Sequence, residues 1–242
     1  MKHLELAAFS AWPALETDTY KGWCLRFDKG YTKRANSANA SDLAQLLDDQ
    51  DIDQVEQRFR SRGLRPVFRI SSTAHVQATE DRLIRRGYRW TDLSLVMTVT
   101  LDDWPAPPVE ASTFTTGAAA WCSGFQAITG QSGADLNTHL DILHRIQHPT
   151  AFAIQTDDQT PVSCGLGVVV GDLLGLFDIT THPSQRGRGL ARQLCRSLLS
   201  WGQRTGARTA FLQVLASNTQ AIALYEQLGF RYAYHYGYRV RP

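Results

Sequence analysis

Apolar and polar positions alternate or recur along the chain in a way that predicts most of its elements. Two apolar-aromatic runs, 22–27 and 31–37, flank Asp28-Lys29-Gly30, a three-residue turn whose glycine is free to take positive φ, so a hairpin is expected. Ile52, Val55 and Phe59 share one face of a helix over 52–60, which Gly63 ends. A strand over 64–70, a helix over 79–86 closed by Gly87, and a strand over 93–100 complete the first half. In the second half the pattern predicts a strand at 109–115 and helices near 117–128 and 136–146. Three consecutive strands follow at 151–155, 161–170 and 173–180, joined by the turn signals Asp157-Asp158-Gln159 and Gly171-Asp172. From Gly189 to about Arg204, Leu190, Leu194, Leu198 and Trp201 make a broad apolar stripe with Ala191, Cys195 and Leu199, while Arg192 and Arg196 face away. A strand at 208–215, a helix at 219–228 and a last strand from Phe230 close the chain. The order is that of an α/β protein with a mixed, mostly antiparallel sheet flanked by helices.

Composition narrows the class. The chain has 242 residues, 43% of them hydrophobic, enough to bury a core without disulfide staples. The formal net charge is +2, and the cations are 21 Arg against 4 Lys. Such balance argues against a nucleic-acid binder or a membrane-surface protein. Cys24, Cys122, Cys164 and Cys195 are scattered and form no C-x-x-C pair, so neither a disulfide framework nor a metal centre is expected. The start of the chain, broken by Glu5 and Pro13, has no secretory core, and no apolar run reaches 18 residues. A cytoplasmic protein is the expectation. Asp102-Asp103-Trp104-Pro105-Ala106-Pro107-Pro108 reads as a linker at about 102–109, dividing the chain into domains at 1–103 and 104–242.

The candidate chemistry gathers where the strand ending at Ile179-Thr180-Thr181 runs into Arg186-Gly187-Arg188-Gly189-Leu190-Ala191 and then into the amphipathic helix. Two glycines permit close backbone approach, and the helix start offers unpaired N–H groups with partial positive charge: a diphosphate cradle. No Gly-Lys-Ser/Thr follows, so it is not a P-loop, and the third glycine and ribose acid of a dinucleotide fingerprint are missing. Downstream stands Asn218-x-x-Ala221-x-x-Leu224-Tyr225-x-x-Leu228-Gly229-Phe230.

With these two segments in this order, residues 173–232 resemble the GNAT N-acetyltransferase superfamily. Its first signature is matched at Arg186, Gly189 and Ala191, and its second throughout. The resemblance implies a GNAT fold and transfer of an acetyl group from acetyl-CoA to a primary amine of a small molecule or amino acid by direct attack. It implies that the backbone of Ile179, Thr180 and Thr181 holds the pantetheine arm and thioester, and that amides from Arg186 through Gly187, Arg188, Gly189 and Leu190 to Ala191 hold the pyrophosphate. Asn218 would fix the cofactor arm, and Tyr225 would protonate the departing thiolate. Asp178 is the sole carboxylate on the strand leading to the loop and is the candidate base or amine anchor, with a purely structural hydrogen-bond role for it, and deprotonation through water, as the alternatives. Regular alternation puts it on the opposite face from Gly175 and Phe177 unless a bulge rotates it. A protein acetyltransferase acting on N-termini or lysines, and a CoA-binding sensor without turnover, are the alternatives.

The first half echoes the second. The interval from opening to closing glycine is 24 residues between Gly63 and Gly87 and 23 between Gly206 and Gly229, but Leu83 stands at the position of Tyr225. The first half therefore resembles a degenerate GNAT domain, as in bacterial tandem GNAT proteins. Its Trp23, Arg26, Tyr31, Asn36 and Ser37 are candidates for a substrate wall, with packing of their own hairpin as the plainer reading. The alternating Tyr232, Tyr234, Tyr236 and Tyr238 give the last strand a tyrosine face, and too few residues follow Phe230 for two closing strands. Strand 93–100 completing the second sheet, or an exchange of strands between the halves, is expected to make up the difference.

Overall fold

In a computed structural model, residues 2–40, 44–102, 104, 113–115 and 117–242 are described. Most of the expected linker at 102–109, and the first part of the strand expected at 109–115, lie outside the described residues. The chain forms two compact units: Met1–Val96 with Val214–Thr219 and Tyr232–Pro242, and Met97–Gln213 with Gln220–Arg231. Two segments from the end of the chain, 214–219 and 232–242, join the first unit.

The first unit opens with α1 (Lys2–Ala11), followed by β1 (Glu16–Tyr20), β2 (Trp23–Phe27), a 3-10 turn at Lys33–Ala35, β3 (Ser37–Ala40), α2 (Asp49–Arg60), β4 (Val67–Ser71), α3 (Gln77–Arg85) and β5 (Arg89–Thr100). The hairpin expected from 22–27 and 31–37 is instead β1–β2, turning at Lys21-Gly22 where both residues have positive φ. Residues 31–36 are no strand, because Asn36 folds them onto the preceding turn. Its Oδ1 accepts from the Asp28 and Gly30 amides, and its Nδ2 donates to the Asp28 and Thr32 carbonyls. Helix α2 starts three residues before the apolar stripe because Asp48 and Asp51 form a reciprocal capping box.

The last strand of the chain, β11 (Arg231–Val240), pairs antiparallel with β4, Tyr236 opposite Ser71 and Val240 opposite Val67. The order within this unit is β1-β2-β3-β4-β11-β5. Tyr234, Tyr236 and Tyr238 are buried with Val67 and Val96, so the tyrosine face is core; Tyr232 is exposed. Arg69 is buried under it, paired through both guanidinium nitrogens with Glu5 of α1 and stacked 3.6 Å over the Tyr236 ring.

The second unit contains β6 (Thr113–Thr115), α4 (Ala118–Thr129), α5 (Gly133–His144), β7 (Thr150–Asp157), β8 (Thr160–Val170), β9 (Leu173–Thr181), α6 (Leu190–Arg204), β10 (Thr209–Leu215) and α7 (Thr219–Gln227). The order here is β5-β10-β9-β8-β7-β6, β9 and β10 being parallel and the β6–β9 meander antiparallel. The end of β5 belongs to this unit, where Leu101 N–H donates to the Arg208 carbonyl. Leu194, Leu198 and Leu199 of the α6 stripe are buried, while Arg192 is exposed.

Candidate active site

Strand β9 carries two departures from regular pairing. Its parallel register with β10 runs from Leu173↔Thr209 to Leu176↔Leu212, although β9 itself continues to Thr181. On its other side, Phe177 pairs with Leu166 and Thr180 with Cys164, so Asp178 and Ile179 face the single residue Gly165. This is a β-bulge. Asp178 sits at φ +51, a left-handed conformation that aspartate tolerates better than most side chains. A side chain at Gly165 would run into Ile179 and Leu194, so the bulge needs glycine opposite it.

The inserted residue reverses the facing of Asp178. Regular alternation would put it beside Leu174, on the α6 side, where Leu174 lies against Gly202. Instead its Oδ2 lies 2.9 Å from Nε2 of His139 on α5. His139 is fully buried, edge-on to Trp121 (5.8 Å) and Phe125 (4.8 Å) of α4. Trp121 Nε1 donates to the carbonyls of Ala153 and Gly165, tying this aromatic cage to the residue opposite the bulge. The Asp178 side chain keeps 15% of its surface. His139 escaped the sequence reading. The signal for it was an imidazole on the apolar face of a helix, with Thr138, Ile142 and Leu143 buried around it.

Cys122 and Cys164 lie close enough to Asp178 to feel its charge. Burial, with that charge added, raises both thiols, Cys122 to about 11. Burial alone pushes Cys195 up to about 12. None of these three is a thiolate near neutral pH, so none is a ready nucleophile.

Past Thr181 the chain makes a 3-10 turn at Pro183–Gln185 and enters α6 through Gly187 and Gly189, both at φ +78. A Cβ on either would meet nothing within 4 Å, so space is open above the loop and the glycines serve the backbone conformation. Gly189 is the N-cap, no side chain caps the helix, and its first intrahelical bond is Gln193 N–H to Gly189 O. The amides of Leu190, Ala191 and Arg192 therefore point out of the helix start, with a positive dipole end behind them. Arg186 and Arg188 are exposed; Arg188 bonds Asp157 (3.0 Å) and Gln185, and Arg192 bonds Gln227. Ser163 Oγ donates to the Thr180 carbonyl at 2.8 Å, steadying the strand end.

Tyr225 lies on α7, 7% exposed, its ring edge-on to Phe230 at 5.9 Å. Burial drives its phenol well above the usual value, with Cys195 adding to the shift. Among the described residues its hydroxyl makes no hydrogen bond to the protein. Asn218 is exposed in the turn before α7, its amide bonded to the Leu215 carbonyl, and falls in the first unit.

The first-half candidates are used differently from a substrate wall. Trp23 is fully buried, its Nε1 donating to the Gln45 carbonyl and its ring edge-on to Phe68. Arg26 is buried and donates to the carbonyls of Arg34, Phe9 and Trp12; desolvation lowers its guanidinium to about 10. Asn36 satisfies its turn, and Ser37 Oγ donates to the Lys33 carbonyl. Only Tyr31 is half-exposed. Four of the five therefore belong to the interior of the first unit, because their polar atoms are consumed by backbone groups there.

Among the described residues, no cluster of three His, Cys, Asp or Glu side chains could hold a metal ion, and no helix is long and apolar enough to cross a membrane. Comparison with known proteins agrees with the fold. A family model described as probable histone acetyltransferase Rv0428c C-terminal matches residues 1–239. The uncharacterized N-acetyltransferase YobR of Bacillus subtilis is 28% identical over all of this chain and 98% of its own length. The ribosomal protein bS18-alanine N-acetyltransferase of Salmonella typhimurium is 41% identical over a shorter stretch, 32% of this chain and 53% of that protein. A solved GCN5-related N-acetyltransferase from Kribbella flavida superposes with a TM-score of 0.71 at 13% identity, covering 100% of this chain and 95% of that one. The chain is thus an acyltransferase of the GCN5-related N-acetyltransferase superfamily and belongs to the Rv0428c C-terminal family within it.

Proposed function

We propose that the chain transfers the acetyl group of acetyl-CoA to a primary amine of a small molecule or amino acid by direct attack, with the chemistry in the second unit, in the cytoplasm. The observation that carries this reading is the run from β9 into α6: a strand that outlasts its pairing with β10, then an open two-glycine loop, then an uncapped helix start. The amides of residues 186–191 suit a pyrophosphate, which a helix N-terminus stabilises. The free edge of Ile179, Thr180 and Thr181 suits the amide-bearing pantetheine arm, and a backbone N–H there would meet the oxyanion without reorganisation. Asn218 would steady the cofactor arm.

In this reading the amine gives up two protons. One passes to Asp178 and on to solvent; the other makes good the proton that Tyr225 delivers to sulfur as the C–S bond breaks. The raised phenol keeps Tyr225 protonated throughout the physiological range. A thiolate born in the same dry surroundings gains proton affinity too, as the buried thiol of Cys195 does. The raised thiols of Cys122 and Cys164 favour direct attack over an acyl-enzyme.

The first domain, 1–103, acts in this proposal as a degenerate GNAT-like partner of the catalytic domain, 104–242. A protein amine as acceptor is the second reading, favoured by the family's description and by the bS18-alanine relative. Thiol release from acetyl-CoA separates the readings, with a panel of polyamines, amino sugars, free amino acids, and peptides with free N-termini or lysines. Turnover on the small amines supports the first and turnover on peptides alone the second. Acetyl-CoA binding with no turnover on any of them would point to a sensor and overturn both.

A further inference from the structure

We infer that His139 is a positioning residue for Asp178: it donates Nε2–H to Oδ2 and thereby holds the other carboxylate oxygen ready for the acceptor amine. The inference rests on the reading of Asp178 as base or amine anchor. Three features support it beyond the 2.9 Å contact.

First, the two atoms meet only because β9 inserts one residue opposite Gly165 and sets Asp178 at φ +51. A strained, side-reversing residue persists where its surroundings over-determine it. Here they do so through His139, which has no exposed surface and is boxed by Trp121 and Phe125. Second, the arrangement is asymmetric. His139 is sealed inside while Asp178 keeps 15% exposure, and among the described residues Oδ1 has no hydrogen-bond partner. A carboxylate pinned by one oxygen and open at the other can accept a proton at a defined point. Third, Asp178 lies on the strand whose next three residues, 179–181, pass beyond the pairing with β10. A base must stand within hydrogen-bond reach of the attacking nitrogen, and a wandering carboxylate forfeits that geometry. His139 itself, fully buried, does not touch the amine.

Two measurements test this. Long-range 1H–15N NMR on histidine-labelled protein reads the tautomer directly. The Nε2–H form at His139 is expected, and an unprotonated Nε2 would overturn the assignment. Thiol-release kinetics then compare His139→Leu, His139→Gln and Asp178→Asn on whichever amine of the panel turns over fastest. His139→Leu should lower kcat by about 10-fold to 100-fold, while the KM for acetyl-CoA holds within twofold. His139→Gln, whose amide can still donate, should recover most of that loss. Asp178→Asn should fall at least as far as His139→Leu. If His139→Leu does not fold, the His139→Gln comparison and the tautomer carry the test. Full activity in folded His139→Leu, which lacks the donor, sinks the inference and leaves the base reading standing if Asp178→Asn is still impaired. An unimpaired Asp178→Asn sinks the base reading itself, and the inference with it.

Discussion

Replacing Tyr225 by phenylalanine removes one oxygen and nothing else that holds the fold. The ring is 7% exposed and packs edge-on against Phe230 at 5.9 Å, a contact worth about 0.5–1.5 kcal/mol that the variant keeps. The hydroxyl bonds no protein acceptor among the described residues, so its loss forfeits no internal hydrogen bond. Stability should change by less than about 1 kcal/mol, since a buried hydroxyl without a partner contributes little. Catalysis should respond quite differently. Loss of a positioned general acid costs roughly 10²–10⁴ in kcat, or about 3–5 kcal/mol on the barrier. Because the phenol is raised by burial, wild-type activity should show no alkaline limb from Tyr225 below about pH 10. The assay is thiol release at saturating acetyl-CoA, run beside a thermal melt of each protein. An unchanged kcat would remove Tyr225 from the mechanism. A lower kcat accompanied by a large drop in melting temperature would mean the ring packing had been misjudged.

Other expectations follow from single contacts. Gly189→Ala places a Cβ in open space but at φ +78, so it should cost about 1–2 kcal/mol of strain and weaken acetyl-CoA binding in calorimetry, where Gly130→Ala at φ +72, remote in sequence from the loop, should leave binding alone. Glu5→Ala leaves Arg69 buried without its carboxylate, and urea unfolding should register a loss of about 3–5 kcal/mol. Asp51 gives a pH signature. Burial alone would raise its carboxyl, but hydrogen bonds from Lys21, Tyr20 and the Asp48 amide bring it down to about 2. A depressed folded value stabilises above the unfolded pKa of about 3.9 and is lost as pH falls through 2. Melts between pH 5 and pH 2 should therefore decline less steeply in Asp51→Asn, by about 1 kcal/mol given the solvent-exposed Lys21 partner; parallel declines would show that the network contributes nothing.

What could be read from the chain was local. The α6 stripe, the glycine loop and the tyrosine face each lie within a few residues of sequence, and hydrophobic period or glycine placement marks them. What could not be read was carried by distant pairing. The partner of β11 is β4, well over 150 residues earlier, and no local pattern names it. Helix α1 stayed hidden because it packs through small residues, Ala7, Ala8 and Ala11, rather than an apolar stripe. Asn36 converted an expected strand into a turn by supplying four side-chain bonds to the backbone. Asp178 was visible as a carboxylate on the right strand, but its facing depended on one inserted residue. Its partner His139, 39 residues away, could be found only in three dimensions.

The site proposed for acetyl-CoA is where β9 gives way to α6. Hydrogen–deuterium exchange with and without acetyl-CoA tests it directly. Exchange should slow at the amides of residues 179–181 and 186–192 and stay unchanged in α2 and α3 of the first unit. Protection confined to the first unit, or no protection at the loop under saturating ligand, would contradict it.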